Sequence, residues 1–435
     1  MKLSRSSVFP LCLLLIAALA LAGCGQAIVA PESGSLPTPS PALSAATPAP
    51  APSPEPTPEP TPEPTPEPTP EPPAEQARLT LDEQVLNDML LDDNYLSFVK
   101  LPAGSRLNVH ADRPVAGVYL VWYEHPIPCE IRTDSGAVAC GQQGFLHEWV
   151  HLDAPAEDFY LQLPGEADLT LCDVYAFTPG FPPDWVQQWE EPWERADVLL
   201  FSAHSDDEYI FFGGIIPGYG AGRGLAVQVA YMTSPYIGTE RHRCHELLNG
   251  LWTAGQRHYP VTSGLRDTLV NNYSDAIYVY GEDFARFQVE MIRRFRPLVI
   301  VSHDYNGEYG HGAHILTARS LLDTVPAAAD ETQYPESAAQ YGVWDTPKLY
   351  LHLYGEEPTV LDYETPLEAF GGRTAYEVAV EAYSKHLSQQ QWAFQVYSFG
   401  SPLDSHRFGL ARTLVGEDEE KNDLLEHLDP ADYER

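Results

Sequence analysis

Positive charge is what this sequence most lacks. Lysine and arginine together number 25 against 62 aspartates and glutamates, and the formal net charge is -37. A field of that sign repels phosphate backbones, which excludes nucleic-acid binding. It also excludes docking on an anionic membrane through the protein's own charge. Cysteine is scarce: six in 435 residues are too few for a disulfide scaffold. The body of the chain has no apolar run of membrane-spanning length, so it is not a polytopic membrane protein. Proline, by contrast, is abundant at 40 residues and unevenly placed. The length suggests two or three domains at roughly 100–200 residues each.

The first 23 residues read as an export signal. Lys2 and Arg5 precede an apolar stretch over 8–22, the charged and apolar regions of a secretory leader. The junction Leu21-Ala22-Gly23-Cys24 resembles a bacterial lipobox. That resemblance implies cleavage at residue 23, lipidation of Cys24 and tethering to the cell membrane outside the cytoplasm. Residues 24–77 then read as a stalk. Glu55, Glu59, Glu63, Glu67 and Glu71 each precede a proline at four-residue spacing. Proline fixes φ and removes a donor, so residues 31–73 should be extended polyproline II reaching on the order of 100 Å.

Residues 78–190 carry short β-branched and aromatic runs at 106–109, 118–123, 148–152, 159–163 and 169–177. Turn chemistry separates them at Asp112-Arg113-Pro114, Asp134-Ser135-Gly136, Asp153-Ala154-Pro155 and Pro164-Gly165-Glu166. The pattern predicts a small antiparallel β-sandwich. The segment is similar to discoidin-like, galactose-binding-like sandwiches, which implies either a sugar-binding module or a packing domain. Cys129 and Cys140 flank the Asp134 turn and are placed for a hairpin disulfide in an oxidising compartment. Cys172 and Cys244 have no evident partner. Trp185, Trp189 and Trp193 form an aromatic connector, expected to pack the seam between domains.

Residues 191–435 change pattern to α/β. Continuous apolar runs at 196–202, 225–232 and 298–302 predict buried parallel strands. Between them, residues 282–296 predict a helix with Phe284, Phe287, Met291 and Phe295 on one face. Strand–helix alternation implies a Rossmann-like, mainly parallel sheet whose ligands bind beyond the strand carboxyl ends.

Two clusters of histidines and carboxylates stand at such ends. Ala203-His204-Ser205-Asp206-Asp207-Glu208 follows the first run. His303-Asp304-Tyr305-Asn306-Gly307-Glu308-Tyr309-Gly310-His311-Gly312-Ala313-His314 follows the third. Zinc takes imidazole nitrogen and carboxylate oxygen, and a catalytic site keeps one position open. A turn can aim His204 and Asp207 at one ion and leave Asp206 facing the reacting water. Glu208 reads as support for a helix N-terminus. His303, Asp304 and Glu308 read as loop-shaping or ligand-supporting groups.

These residues resemble the LmbE/PIG-L-like zinc deacetylases, which remove N-acetyl groups from N-acetylglucosaminyl substrates. His204 to Glu208 matches the family's first signature, and Tyr309-Gly310-His311 with His314 the second. The resemblance implies Zn2+, or another divalent metal, on His204, Asp207 and His314. It implies Asp206 as general base, Tyr309 as oxyanion donor and His311 as a charged or proton-donating partner. It implies Arg243 and Asp267 as substrate contacts. The segment 384–389 resembles a family helix segment and reads as structural or as a pocket wall. Two departures stand out. Ser205 replaces the usual proline, and Gly312-Ala313 stands where many members have Pro-Asp, which leaves the charge state of His311 open.

The resulting expectation is a lipid-anchored, metal-dependent N-deacetylase acting on an N-acetylated sugar or glycan at the cell surface. The alternatives are a non-catalytic glycan-binding lipoprotein and a zinc amidase acting on another acyl amide.

Overall fold

A computed structural model of the protein describes residues 72–235 and 241–433. The leader, Cys24 and the proline-rich stretch through residue 71 lie outside the described residues.

Seven strands build the first region: β1 (Leu79–Leu81), β2 (Val99–Leu101), β3 (Arg106–Trp122), β4 (Cys129–Thr133), β5 (Gly136–Cys140), β6 (His147–Gln162) and β7 (Leu169–Phe177). They pair antiparallel in the order β2-β7-β3-β6-β4-β5, with β1 on β3. The hydrogen bonding is one continuous sheet, because β3 and β6 are 17 and 16 residues long and run through both of its halves. The sequences at Asp112 and Asp153, expected as turns, are bends inside these strands. The register jumps from His110 to Val115, which pairs with Ala156. Pro114 and Pro155 have no donor to offer a ladder and sit at this irregularity, where none is required. Val109 and Leu161 from one half share a buried cluster with Leu120, Leu171 and Val174 from the other.

The described chain enters this sheet before Arg78. Residues 73–77, assigned to the stalk by composition, lie along β7 and its extension. The Phe181 N–H donates to the Pro72 carbonyl at 3.0 Å, and the Ala77 N–H donates to the Ala176 carbonyl at 2.9 Å. Proline cannot donate, but its carbonyl still accepts, so a proline-containing edge can pair on one side. Cys129 and Cys140 are directly opposed across the β4–β5 hairpin, with Sγ atoms 3.0 Å apart.

The second region contains β8 (Val198–Ser202), β9 (Val227–Tyr231), β10 (Val261–Thr262), β11 (Val299–Ser302), β12 (Lys348–His352), β13 (Thr359–Val360) and β14 (Arg407–Thr413). The order is β10-β9-β8-β11-β12-β14-β13. The first five are parallel, and β14 and β13 close one edge antiparallel. The α-helices among the described residues are α1 (Gln84–Leu90), α2 (Asp207–Ile210), α3 (His242–Thr253), α4 (Tyr273–Val279), α5 (Gly281–Phe295), α6 (Gly312–Ala328), α7 (Pro335–Tyr341) and α8 (Ala375–Tyr383).

Every residue of β8 and β11 is buried, as their unbroken apolar sequence requires. From β8 the chain steps to β9 and β10 on one side and then returns to β11 on the other. The crevice of a parallel sheet opens at such a reversal. Helix α5 buries Phe284, Met291 and Phe295, while Phe287 is half-buried. Arg293, which by position complements the end of its own helix, instead donates to the Ala327 and Ala328 carbonyls ending α6.

The connector divides its tryptophans. Trp189 is buried against Trp252 and Tyr259, and Tyr259 stacks on Phe145 of the first region at 4.4 Å. Trp193 stacks on His258. Trp185 is half exposed and lines a cleft on the antiparallel sheet.

Candidate metal centre and active-site cleft

The turn after β8 is held in an uncommon backbone conformation. Asp206 has φ 128° and ψ -30°, outside the regions favoured by residues with a Cβ. Its N–H donates to Glu208 Oε2 at 2.6 Å, and Ser202 Oγ donates to the His204 carbonyl at 2.8 Å. Arg243, in the first turn of α3, donates to the Ser205 carbonyl at 2.8 Å. Strain of this kind persists where surrounding contacts over-determine it. Here the turn sets Asp206 and Asp207 on the cleft side by side.

Three donor atoms meet between β8 and β11. Asp207 Oδ2 is 3.0 Å from His204 Nδ1 and 3.3 Å from His314 Nε2, and those two nitrogens are 3.2 Å apart. Tetrahedral ligands at about 2.0–2.1 Å from zinc lie about 3.3–3.4 Å from one another, so the spacing suits a small divalent cation.

Two other groupings are close enough to hold a cation: His204, His311 and His314, and Asp207, His303 and His314. His303 is disqualified by its own contacts. Its Nε2 accepts the Ala203 N–H at 2.8 Å, and its Nδ1 donates to Glu308 at 3.0 Å. His311 has a buried Nδ1 without a hydrogen-bond partner among the described residues. Its ring centroid is 4.8 Å from that of His204 and 4.9 Å from that of His314.

Glu308 orients the centre from beneath. Wholly buried, it accepts from His314 Nδ1 at 2.6 Å, from His303 Nδ1, from His352 Nδ1 at 3.1 Å and from the Asp304 N–H at 3.1 Å. A proton held on His314 Nδ1 leaves the Nε2 lone pair directed at the cleft, which is what a ligand requires. His352 in turn reaches the Asp404 carbonyl at 3.0 Å. Burial alone would raise the Glu308 carboxyl. The adjacent His303 and His314 outweigh it and hold the group well below the usual carboxylate range.

The remaining ionisable groups separate according to their neighbours. Asp206 is pushed up to about 7, first by burial and then by the charge of Asp207, with Arg243 opposing. His314 is lowered by burial but raised more by Asp207 and Glu308, to about 10. A bound cation would compete for the same lone pair. His311 falls to about 3, through burial and then through His204 and His314. Both effects favour its neutral form. The Tyr309 phenol is raised by burial and by Asp207 and Asp206, which keeps its proton on.

His204, Asp206, Asp207, Tyr309 and His311 line a cleft of about 390 Å³. Arg243 and Asp267 are both in it, 3.3 Å apart, and Asp267 Oδ1 is 3.8 Å from His204 Nε2. All eight cleft residues named from the sequence are therefore in or beside one crevice. Sequence reading missed other walls, which include Arg266, Leu269, Trp392 and Phe394. It also missed His352, and it did not anticipate that one glutamate joins three histidines. Glu208, expected as helix support, holds the Asp206 N–H and lies 3.3 Å from buried His386. In the 384–389 segment, Ser388 donates to Glu246 of α3, while Gln389 lines the cleft.

Residues 199–325 match the family model described as PIG-L: GlcNAc-PI de-N-acetylase. That match spans both signature turns. This segment resembles a PIG-L domain. Outside it, the PIG-L match makes no statement about the antiparallel sheet or the N-terminal segment. The chain is 28% identical over 217 residues to a 1D-myo-inositol 2-acetamido-2-deoxy-alpha-D-glucopyranoside deacetylase 1 of Catenulispora acidiphila, covering 44% of this chain and 65% of that protein. It is 29% identical over 177 residues to a deacetylase 2 of the same description from Saccharopolyspora erythraea, covering 35% and 63%. The chain thus spans a little less than two thirds of these relatives. Among solved structures, an N,N'-diacetylchitobiose deacetylase from Pyrococcus horikoshii is 20% identical, with a TM-score of 0.35, covering 46% of this chain and 72% of that one.

Proposed function

We propose that the protein is a metal-dependent N-deacetylase that hydrolyses the acetamide of an N-acetylglucosamine-type sugar. The observation that carries the reading is the three-donor centre with Asp206 beside it. The PIG-L match and the acetamido-sugar names of the relatives support the substrate class. His204, Asp207 and His314 would hold the cation, with zinc the best fit to the donor set and spacing. Such an ion supplies Lewis acidity to the amide carbonyl.

The chain's own groups do the proton work. Asp206, poised near neutrality, takes a proton from the attacking water as its oxygen bonds to the acetyl carbon. Tyr309 donates a hydrogen bond to the carbonyl oxygen as negative charge gathers there. The C–N bond then breaks. Asp206 returns its proton to the departing nitrogen, leaving acetate and an amino sugar. His311 stands at the cleft wall as a neutral hydrogen-bonding partner of the reacting oxygen or nitrogen. Arg243 and Asp267 hold sugar hydroxyls. In the same reading Cys24 is lipidated and the enzyme works outside the cytoplasm on the cell membrane.

The test is acetate release from N-acetylhexosamine monomers and oligomers by the full chain, with and without chelator. Release that stops with chelator and returns with zinc is the expected result. In Asp206→Asn, metal content should persist while turnover falls by about 10³-fold, within the usual range for a general base. Undiminished release in that variant would remove the assignment. Export and anchoring are tested separately, by palmitate labelling that should vanish in Cys24→Ala.

A further inference from the structure

A second cleft, of about 590 Å³, lies between the outer face of the antiparallel sheet and α3. It shares no lining residue with the metal-centre cleft. Its walls are aromatic: Tyr95, Tyr119, Tyr175 and the half-exposed Trp185. Trp185 meets Tyr119 and Tyr175 edge-on, at 5.8 and 5.2 Å between ring centroids. An open cavity lined by aromatic side chains suits a ligand that has apolar faces of its own.

The polar groups in this cavity choose among such ligands. Asp93 and Asp173 both line it. Tyr175 donates its hydroxyl to Asp93 Oδ1 at 2.7 Å, and the Asp93 N–H donates to Asp173 Oδ1 at 3.2 Å. Asp173 is 2% exposed. Among the described residues, no lysine, arginine or histidine forms an ion pair with Asp92, Asp93 or Asp173. Burial, and then the charge of Asp92, pushes Asp173 up to about 7. His147 also lines the cleft, but burial and then His245 hold its pKa well down, so it brings no positive charge. A buried carboxylate without a cation is costly, and a ligand carrying a positive charge removes that cost. Aromatic faces attract the same charge.

We propose that this aromatic cleft is a binding site for a glucosamine-type amino sugar, with the sugar ring on the tyrosine and tryptophan faces and its ammonium toward Asp93 and Asp173. Such a ligand is the product class of the deacetylation proposed above, and the inference rests on that reading for its link to catalysis. A partly deacetylated glycan would then be held at its finished units by the sheet, while the metal-centre cleft works on units that still carry acetyl. The sheet and the catalytic region meet along α3, which gives Arg243 to one cleft and Asn249 to the other.

The test is calorimetric titration of the full chain with tetra-glucosamine, its fully N-acetylated counterpart and tetramethylammonium. Tetra-glucosamine should bind about tenfold or more tightly than either. Trp185→Ala and the nearly isosteric Asp173→Asn should each weaken that binding about tenfold, while Asp206→Asn leaves it unchanged. Equal affinity for the acetylated oligomer, or for tetramethylammonium, overturns the amino-sugar assignment. Binding lost in Asp206→Asn but kept in Trp185→Ala moves the ligand to the catalytic cleft and also overturns it. Acetate release measured on the same preparations distinguishes failure of this site from failure of the deacetylase reading. Monomeric substrate should be hydrolysed normally by Trp185→Ala.

Discussion

Glu308 and Asp173 are both buried, yet burial has opposite outcomes in the two clefts. Glu308 is ringed by three imidazoles and a backbone N–H and stays firmly ionised. Asp173 has other acids for neighbours and is pushed up to about 7. Burial penalises charge in both places, and the neighbours decide which carboxylate can bear it. The first cleft has built its own counter-charges and directs spare lone pairs into the cleft. The second still needs a positive charge from outside.

Removing a ligand should have the largest effect. His314→Ala is expected to lose bound metal and reduce acetate release to background; full occupancy by elemental analysis would show that the centre lies elsewhere. His311→Ala sharpens the distinction between ligand and partner. It should keep the metal and lose about 10²-fold in kcat, as expected for a hydrogen-bonding catalytic group. Loss of metal in that variant would instead favour the three-histidine grouping.

Glu308→Gln keeps the shape but removes the charge that fixes the His314 tautomer. Metal affinity or activity should fall about 10–100-fold, as for other groups that orient a ligand. A variant with unaltered metal affinity and an unaltered pH–rate profile would make Glu308 a packing residue.

The smallest effect should come from the other cleft. The folded-state pKa of Asp173 is raised above its unfolded value, so its ionisation opposes folding at alkaline pH. That penalty disappears as pH falls through about 7 towards 4. Asp173→Asn should therefore be more stable than the parent at pH 8, by up to roughly 2 kcal/mol, and equal to it near pH 4. Thermal melts at the two pH values check this. A gain of the same size at both would trace it to packing instead.

Much of the catalytic region was legible because its signals are local. An unbroken apolar run followed by two acids and a histidine is enough to place His204, Asp206 and Asp207 at a strand end. The amphipathic spacing of Phe284, Met291 and Phe295 is likewise enough to place α5. The first region was harder to read. Asp112-Arg113-Pro114 and Asp153-Ala154-Pro155 carry turn residues, but here they bend continuous strands, since a bulge tolerates the same missing donor as a turn. Composition put residues 73–77 in the stalk. Pairing put them on the sheet: the Ala74 and Ala77 N–H groups donate to the Phe181 and Ala176 carbonyls, and the Glu75 carbonyl accepts from the Thr178 N–H.

By itself the sequence determined which histidines and carboxylates stand at strand ends, because the two signature turns are short and each follows a strand that must be buried. Tertiary structure alone decided how they work together. His204 and His314 are 110 residues apart, and their meeting depends on β11 lying beside β8. The role of Glu308 depends on His352 arriving from a third strand. The aromatic cleft needs Tyr95, Tyr119, Tyr175 and Trp185 from four separate segments. Electrostatic and stacking energies depend on distances through space, and a linear pattern encodes those only within a turn of chain.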